Sequence, residues 1–126
     1  MNVLVDSCLW IDYFRGTGQT ETLDCLIEEN CIVTNDLILA ELFPPLYLLK
    51  KEPLIALLRD IKRQPMDIHW EEIIRLRVLC LRHGINGVGI PDLLVAQNAI
   101  QGELLLMSRD HHFSLIARHT PLKIYE

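Results

Sequence analysis

Four acidic residues stand where a solvated carboxylate is costly. Asp6 follows the apolar run Val3-Leu4-Val5, and Glu41 closes Leu37-Ile38-Leu39-Ala40. Asp92 sits inside Ile90-Pro91-Asp92-Leu93-Leu94-Val95, and Asp110 comes just after Leu104-Leu105-Leu106-Met107-Ser108-Arg109. Burying an ionised carboxylate is expensive unless it is paired or metal-bound. Acids scattered along the chain, each tied to apolar structure, point to one shared cation. Carboxylate oxygens suit hard divalent ions such as Mg²⁺ or Mn²⁺. Such an ion binds a phosphate oxygen, lowers the pKa of a bound water and stabilises in-line displacement at phosphorus.

Each acid also has a purely structural reading. Asp6 can cap the first helix, although Ser7 is placed to do so instead. Glu41 has no Lys or Arg three or four residues away, so a helix ion pair is a poor account of it. Asp92 after Pro91 is a favourable helix start, the strongest of the competing readings. Asp110 can cap the last helix. The argument therefore rests on the set. Other residues carry less. His111 and His112 are adjacent, so they are expected to point apart and make a poor metal pair. Asp12 is placed to pair with Arg15. Ser7 and Ser108 have no evident base beside them in sequence. Gly84, Gly87 and Gly89 form neither G-x-G-x-x-G nor G-K-[ST].

Composition narrows the class. The chain has 126 residues, half of them hydrophobic, which is enough for the core of one domain spanning residues 1–126. No apolar run approaches the roughly 20 residues a spanning helix needs, and no signal-like segment opens the chain, so a cytoplasmic protein without membrane contact is expected. Four cysteines (Cys8, Cys25, Cys31, Cys80) form no C-x-x-C pair and read as free thiols. The net charge of −5 argues against a general basic sheath for nucleic acid. An acidic metal cluster would itself make the sum negative.

Hydrophobic period and breakers then give the elements that must position the acids. Strands are expected at Asn2–Val5, Cys31–Val33, Met66–Ile68, Leu104–Leu106 and Leu122–Ile124. Helices are expected over Leu9–Phe14 with Ser7 as cap, Thr20–Glu29, Asp36 onward, Pro53 onward, Trp70–His83, Pro91–Gln101 and Asp110–Ala117. Pro44-Pro45 is expected to kink or stop the third helix, with Leu46 to Lys50 as a segment that can resume it. Short apolar strands alternating with helices predict an α/β fold, a parallel sheet covered on both faces. Ligands in such folds bind beyond the carboxyl ends of the strands.

Four segments in order resemble the PIN-domain family, in particular the VapC-like toxins of prokaryotic toxin–antitoxin pairs. They are Val3-Leu4-Val5-Asp6-Ser7 with Trp10-Ile11-Asp12 and Phe14, then Ala40-Glu41-Leu42, then Ile90-Pro91-Asp92-Leu93-Leu94-Val95-Ala96, then Leu106-Met107-Ser108-Arg109-Asp110-His111-His112-Phe113. The resemblance spans Asn2 to Ile124. It implies a three-layer α/β/α sandwich with a short central parallel sheet and a Mg²⁺- or Mn²⁺-dependent ribonuclease site. By position, Asp6, Glu41 and Asp92 match the core acids and Asp110 the more variable fourth, all four being catalytic and metal-binding. Ser7 and Ser108 match supporting hydroxyl residues. The resemblance further implies an RNA substrate, a homodimer, and a small antitoxin that inserts a segment into the groove. The chain departs from the family at Pro44-Pro45, where relatives continue a helix or place a Gly. Arg15 and Arg109, near the acids in sequence, are the candidates for RNA phosphate contacts, with pairing to Asp12 as the competing role.

Two other classes compete. A haloacid-dehalogenase-like phosphatase needs a second Asp two residues after the first, where this chain has Cys8. A non-catalytic PIN-like RNA-binding module usually lacks one of the acids, and here all four positions are filled.

Overall fold

The apolar triplets pair into one sheet. The computed structural model describes residues 1–126. Its strands are β1 (Val3–Val5), β2 (Ile32–Thr34), β3 (Lys62–Arg63), β4 (Leu105–Met107) and β5 (Lys123–Ile124). They stand in the order β3-β2-β1-β4-β5, and every pair is parallel. β1 is central: Val3, Leu4 and Val5 are each at most 1 % exposed, as a strand covered on both faces requires. Burying each such side chain contributes roughly 1.5–3 kcal/mol.

Seven helices cover the sheet: α1 (Ser7–Phe14), α2 (Thr20–Glu28), α3 (Asp36–Leu48), α4 (Glu52–Arg59), α5 (Trp70–Arg82), α6 (Ile90–Gln101) and α7 (His112–Ala117). The chain steps from β1 to β2 to β3, then crosses back to β4 and β5. Right-handed crossovers therefore put α1 to α4 on one face and α5 to α7 on the other, giving the expected three layers. Trp10, Ile38, Leu42 and Leu58 fill the first interface, and Ile73, Leu93, Phe113 and Ile116 the second. After α1, Gly16 takes φ +73°, and the Thr17 N–H reaches the Asp12 carbonyl at 2.9 Å to close the helix.

Two expectations are corrected. The third strand is Lys62–Arg63, not Met66–Ile68. Beyond it, α6 side-chain amides take the place of a ladder. Asn98 Nδ2 donates to the Pro65 carbonyl (3.0 Å), Gln101 Nε2 to that of Asp67 (2.8 Å) and Gln97 Nε2 to that of His69 (3.1 Å). The segment is bonded without being a strand. Pro44-Pro45 does not stop α3, which continues to Leu48. The rings free the carbonyls of Ala40 and Glu41, and both residues are exposed, so water can take these acceptors. Leu42 and Leu46, 2 % and 7 % exposed, anchor the helix on either side.

Candidate active site

The strand order reverses between β1 and β4, because one neighbour of β1 continues toward β3 and the other toward β5. That switch point is where open parallel sheets place their ligands. Asp6 leaves β1 there, and Ser108 leaves β4 beside it. The Asp6 N–H donates to the Met107 carbonyl at 2.9 Å, so the two strand ends are held in register. Asp6, not Ser7, is the N-cap of α1. Its Oδ1 accepts the Ser7 N–H at 2.9 Å, and its Oδ2 accepts the Ser108 hydroxyl at 2.8 Å. Ser7 thus supports Asp6 through its backbone.

Ser108 also organises the fourth acid. Its Oγ accepts the Asp110 N–H at 3.1 Å. Asp110 Oδ1 in turn accepts the His112 N–H at 2.9 Å, from one residue ahead of His111, the α7 N-cap, which makes no side-chain cap bond. His112 Nδ1 lies 2.8 Å from the same oxygen, close but not aligned as a hydrogen bond. A single hydroxyl therefore links Asp6 to Asp110.

Glu41 and Asp92 come from helices on opposite faces of the sheet. Asn35 caps α3 through its Oδ1, which accepts the Ile38 N–H at 2.8 Å, and Glu41 follows on that helix. Asp92 lies in the first turn of α6, and its Oδ2 accepts the Gly89 N–H at 3.1 Å. Arg77 steadies the loop before α6 by donating to the Val88 carbonyl at 2.8 Å. Partial desolvation of the carboxyl, in a residue that stays exposed overall, and then the charges of Asp6 and Asp92 push Glu41 above its ordinary value. Asp92 is also raised, chiefly by burial. The Gly89 N–H opposes the shift, Asp110 and Asp6 add to it, and His112 opposes it. All four sequence-predicted acids thus share one electrostatic neighbourhood. No Lys or Arg pairs with any of them. The donor set, four carboxylates without a paired Lys or Arg, fits a hard divalent cation.

The remaining candidates divide. Arg109 pairs with Asp12 at 3.1 Å, where Arg15 was the expected partner. Arg15 is exposed and lines an apolar groove between α1, α3 and α4. Two neighbours of the site escape the sequence argument. Cys8 Sγ lies 3.7 Å from Asp6 Oδ2, a weak second contact on that oxygen, and 3.8 Å from Ser108 Oγ. His112 touches Asp110, and only the Asp-x-His spacing, with a turn assumed, could have flagged it. His111 and His112 do not point apart: their ring centroids are 4.4 Å apart at 31°.

The family model of the PIN domain matches residues 3–119. The chain belongs to the PIN-domain family. Comparison with curated proteins finds no significant match. Solved structures share the fold of this PIN domain. A chain of the VapBC2 complex from Rickettsia felis, bound to a promoter DNA fragment, superposes with a TM-score of 0.76 at 18% identity, covering 99% of this chain and 98% of that one. A chain of FitAcB from Neisseria gonorrhoeae gives 0.71 at 21% identity, covering 98% and 96%. A chain of DNA-bound VapBC from Salmonella typhimurium gives 0.71 at 16%, covering 99% and 97%. No helix of this PIN domain is long and apolar enough to cross a membrane.

Proposed function

We infer that this PIN domain is a metal-dependent endoribonuclease and the toxin of a toxin–antitoxin pair. One observation supports the reading: at the β1/β4 switch point Glu41 feels the charges of Asp6 and Asp92, Asp92 feels those of Asp6 and Asp110, and no Lys or Arg pairs with any of them. When bound, Mg²⁺ or Mn²⁺ supplies charge for the phosphate oxygens and acidifies a coordinated water. Asp6, Glu41, Asp92 and Asp110 are the residues that would hold it. Ser108 and the Ser7 N–H fix both oxygens of Asp6, so that carboxylate is oriented before substrate arrives. Glu41 holds a proton more readily than a free carboxylate, and no side chain of the protein pairs with it. It is the group suited to accept a proton from the attacking water as the new P–O bond forms and the leaving oxygen departs. Arg15, exposed beside the site helix α3, is suited to an RNA phosphate. Arg109 can serve only by loosening its pair with Asp12.

The partner reading rests on two surfaces. A groove of about 310 Å³ runs between α1, α3 and α4, walled by Ile11, Phe14, Leu46 and Leu49 and flanked by Arg15 and Lys51. Because α3 also carries Glu41, a segment seated in this groove can continue toward the four acids and cover them. That suits an antitoxin helix with an acidic margin. On the other face, α5 exposes Trp70, Ile74, Val78 and Leu81 at helical spacing, a stripe suited to a second copy of the chain.

The deciding experiment is cleavage of total RNA by purified protein with Mg²⁺, Mn²⁺ or EDTA, wild type against Asp92→Asn. Metal-dependent cleavage lost in the variant supports the reading. Cleavage that survives EDTA overturns the metal role, and absence of cleavage with metal leaves a non-catalytic RNA-binding module.

A further inference from the structure

Overlapping the four acids at Asp110 lies a chemically different donor set. We propose that Asp110, His111 and His112 form a site for a borderline divalent cation such as Zn²⁺, selected by two imidazoles where Asp6, Glu41 and Asp92 offer only carboxylates. The ligand atoms of the three residues lie within 4.8 Å of one another. His112 Nδ1 stands 2.8 Å from Asp110 Oδ1. Two ligands held ~2.0–2.1 Å from one tetrahedral ion stand ~3.3–3.4 Å apart, so this pair has to open by only about half an ångström to receive it.

The surroundings keep that pair in place. Asp110 Oδ1 is fixed by the His112 N–H at 2.9 Å. His112 Nδ1 is buried yet has no aligned hydrogen-bond partner, so a donor atom is held without its usual satisfaction. The ring is backed by Gly87, where a Cβ would lie 3.5 Å from Cε1. His111 is exposed, and its ring centroid lies 4.4 Å from that of His112. Rotation of that exposed side chain closes the remaining separation. Two nitrogens and one carboxylate oxygen are a donor set that zinc accepts, with a further position open to water. Mg²⁺ prefers oxygen and would remain with the acids. Asp110 is common to both sites.

The test measures binding directly and does not depend on RNA cleavage. Metal-free full-length chain carrying Asp6→Asn and Glu41→Gln, which removes two of the four carboxylates, is titrated with Zn²⁺ by calorimetry and with Co²⁺ by visible absorption. The expected result is one ion per chain with retained affinity, weakened roughly tenfold or more by His111→Gln or His112→Gln. Far-UV circular dichroism checks the fold. If His112→Gln unfolds, exposed His111 still decides. The proposal is overturned if Zn²⁺ fails to bind, if both histidine substitutions leave its affinity unchanged, or if the acid substitutions alone abolish it.

Discussion

The Ser108 hydroxyl donates to Asp6 Oδ2 across 2.8 Å of space and 102 residues of chain. It also accepts the Asp110 N–H, so it couples the end of β1 to the turn after β4. Ser108→Ala removes the only strong hydrogen bond on that carboxylate oxygen, leaving the weak Cys8 thiol contact at 3.7 Å. Hydrogen bonds to charged groups contribute about 1.5–3 kcal/mol, and the partial exposure of this site puts the expected loss of stability near ~1 kcal/mol. A role in orienting Asp6 predicts more. Metal-dependent kcat should fall about tenfold with little change in KM, and Ser108→Thr should restore it. Equal kcat for Ala and Thr variants would remove Ser108 from the site.

Asp92→Asn should stabilise the metal-free protein. Burial and the neighbouring charges of Asp110 and Asp6 act against the ionised form, and the amide removes that repulsion. Solvent screening keeps the gain small, so a melting temperature a few degrees higher in EDTA is expected. The same variant should lose most of the stabilisation that Mg²⁺ gives the wild type. A variant that melts lower in EDTA would show that Asp92 acts mainly through its bond to Gly89.

The raised carboxyls of Glu41 and Asp92 set a pH dependence with a definite sign. Both bind a proton more tightly in the folded chain than at their ordinary values of 4.5 and 3.8. The folded state therefore holds more protons through that window. Their contribution to stability falls as pH rises from about the ordinary values through the raised ones, then levels off. A divalent ion binds the deprotonated form, so the melting shift produced by Mg²⁺ should grow over the same interval. Thermal melts at a series of pH values, with and without Mg²⁺, measure it. A Mg²⁺ shift that stays flat across the interval counts against these two acids as ligands.

Local patterns made part of this site readable and hid the rest. Val3-Leu4-Val5 followed by Asp6 announces a covered strand ending in an acid, because a parallel strand is apolar throughout and its ligand lies past its end. Leu105–Met107 followed by Ser108 and Asp110 carries the same information. The third strand was misplaced because Lys62 and Arg63 are exposed edge residues without apolar character. The residues that replace its ladder, Gln97, Asn98 and Gln101, lie about thirty positions away on α6. Hydrophobic period does not report a side-chain amide bonded to a distant carbonyl. Pro44-Pro45 misled for a related reason. The penalty of an interior proline includes stranded carbonyls, and here they belong to exposed residues. The approach of His111 to His112 depends on the turn after Asp110, which adjacency in sequence does not specify.

The α5 stripe predicts an oligomer. Trp70 and Leu81 are more than half exposed, as is Ile74 between them, and such a run is rarely left bare on a monomer. Sedimentation of the isolated protein should show a dimer, and Ile74→Arg should shift it to monomer while leaving the melting temperature of the chain within a few degrees. Wild type that sediments as a monomer at every accessible concentration would assign the stripe to some other partner.

The groove between α1, α3 and α4 gives the last prediction. Leu49 is 66% exposed and Ile11 38%, so both are accessible, and neither holds the core together. Leu49→Arg should therefore leave folding and metal-dependent cleavage nearly unchanged. An antitoxin helix seated on this apolar wall would lose burial and meet a new charge, weakening the complex tenfold or more, since each 1.4 kcal/mol is a factor of ten. Arg15→Glu tests the margin separately. If an acidic segment continues past Arg15 toward Glu41, reversing this charge should weaken the complex most at low salt, where screening is least. Co-purification and titration with a candidate antitoxin, for wild type and both variants, reads the effect. Unchanged affinity in both variants would move the antitoxin off this face and leave the groove's apolar lining without its proposed occupant.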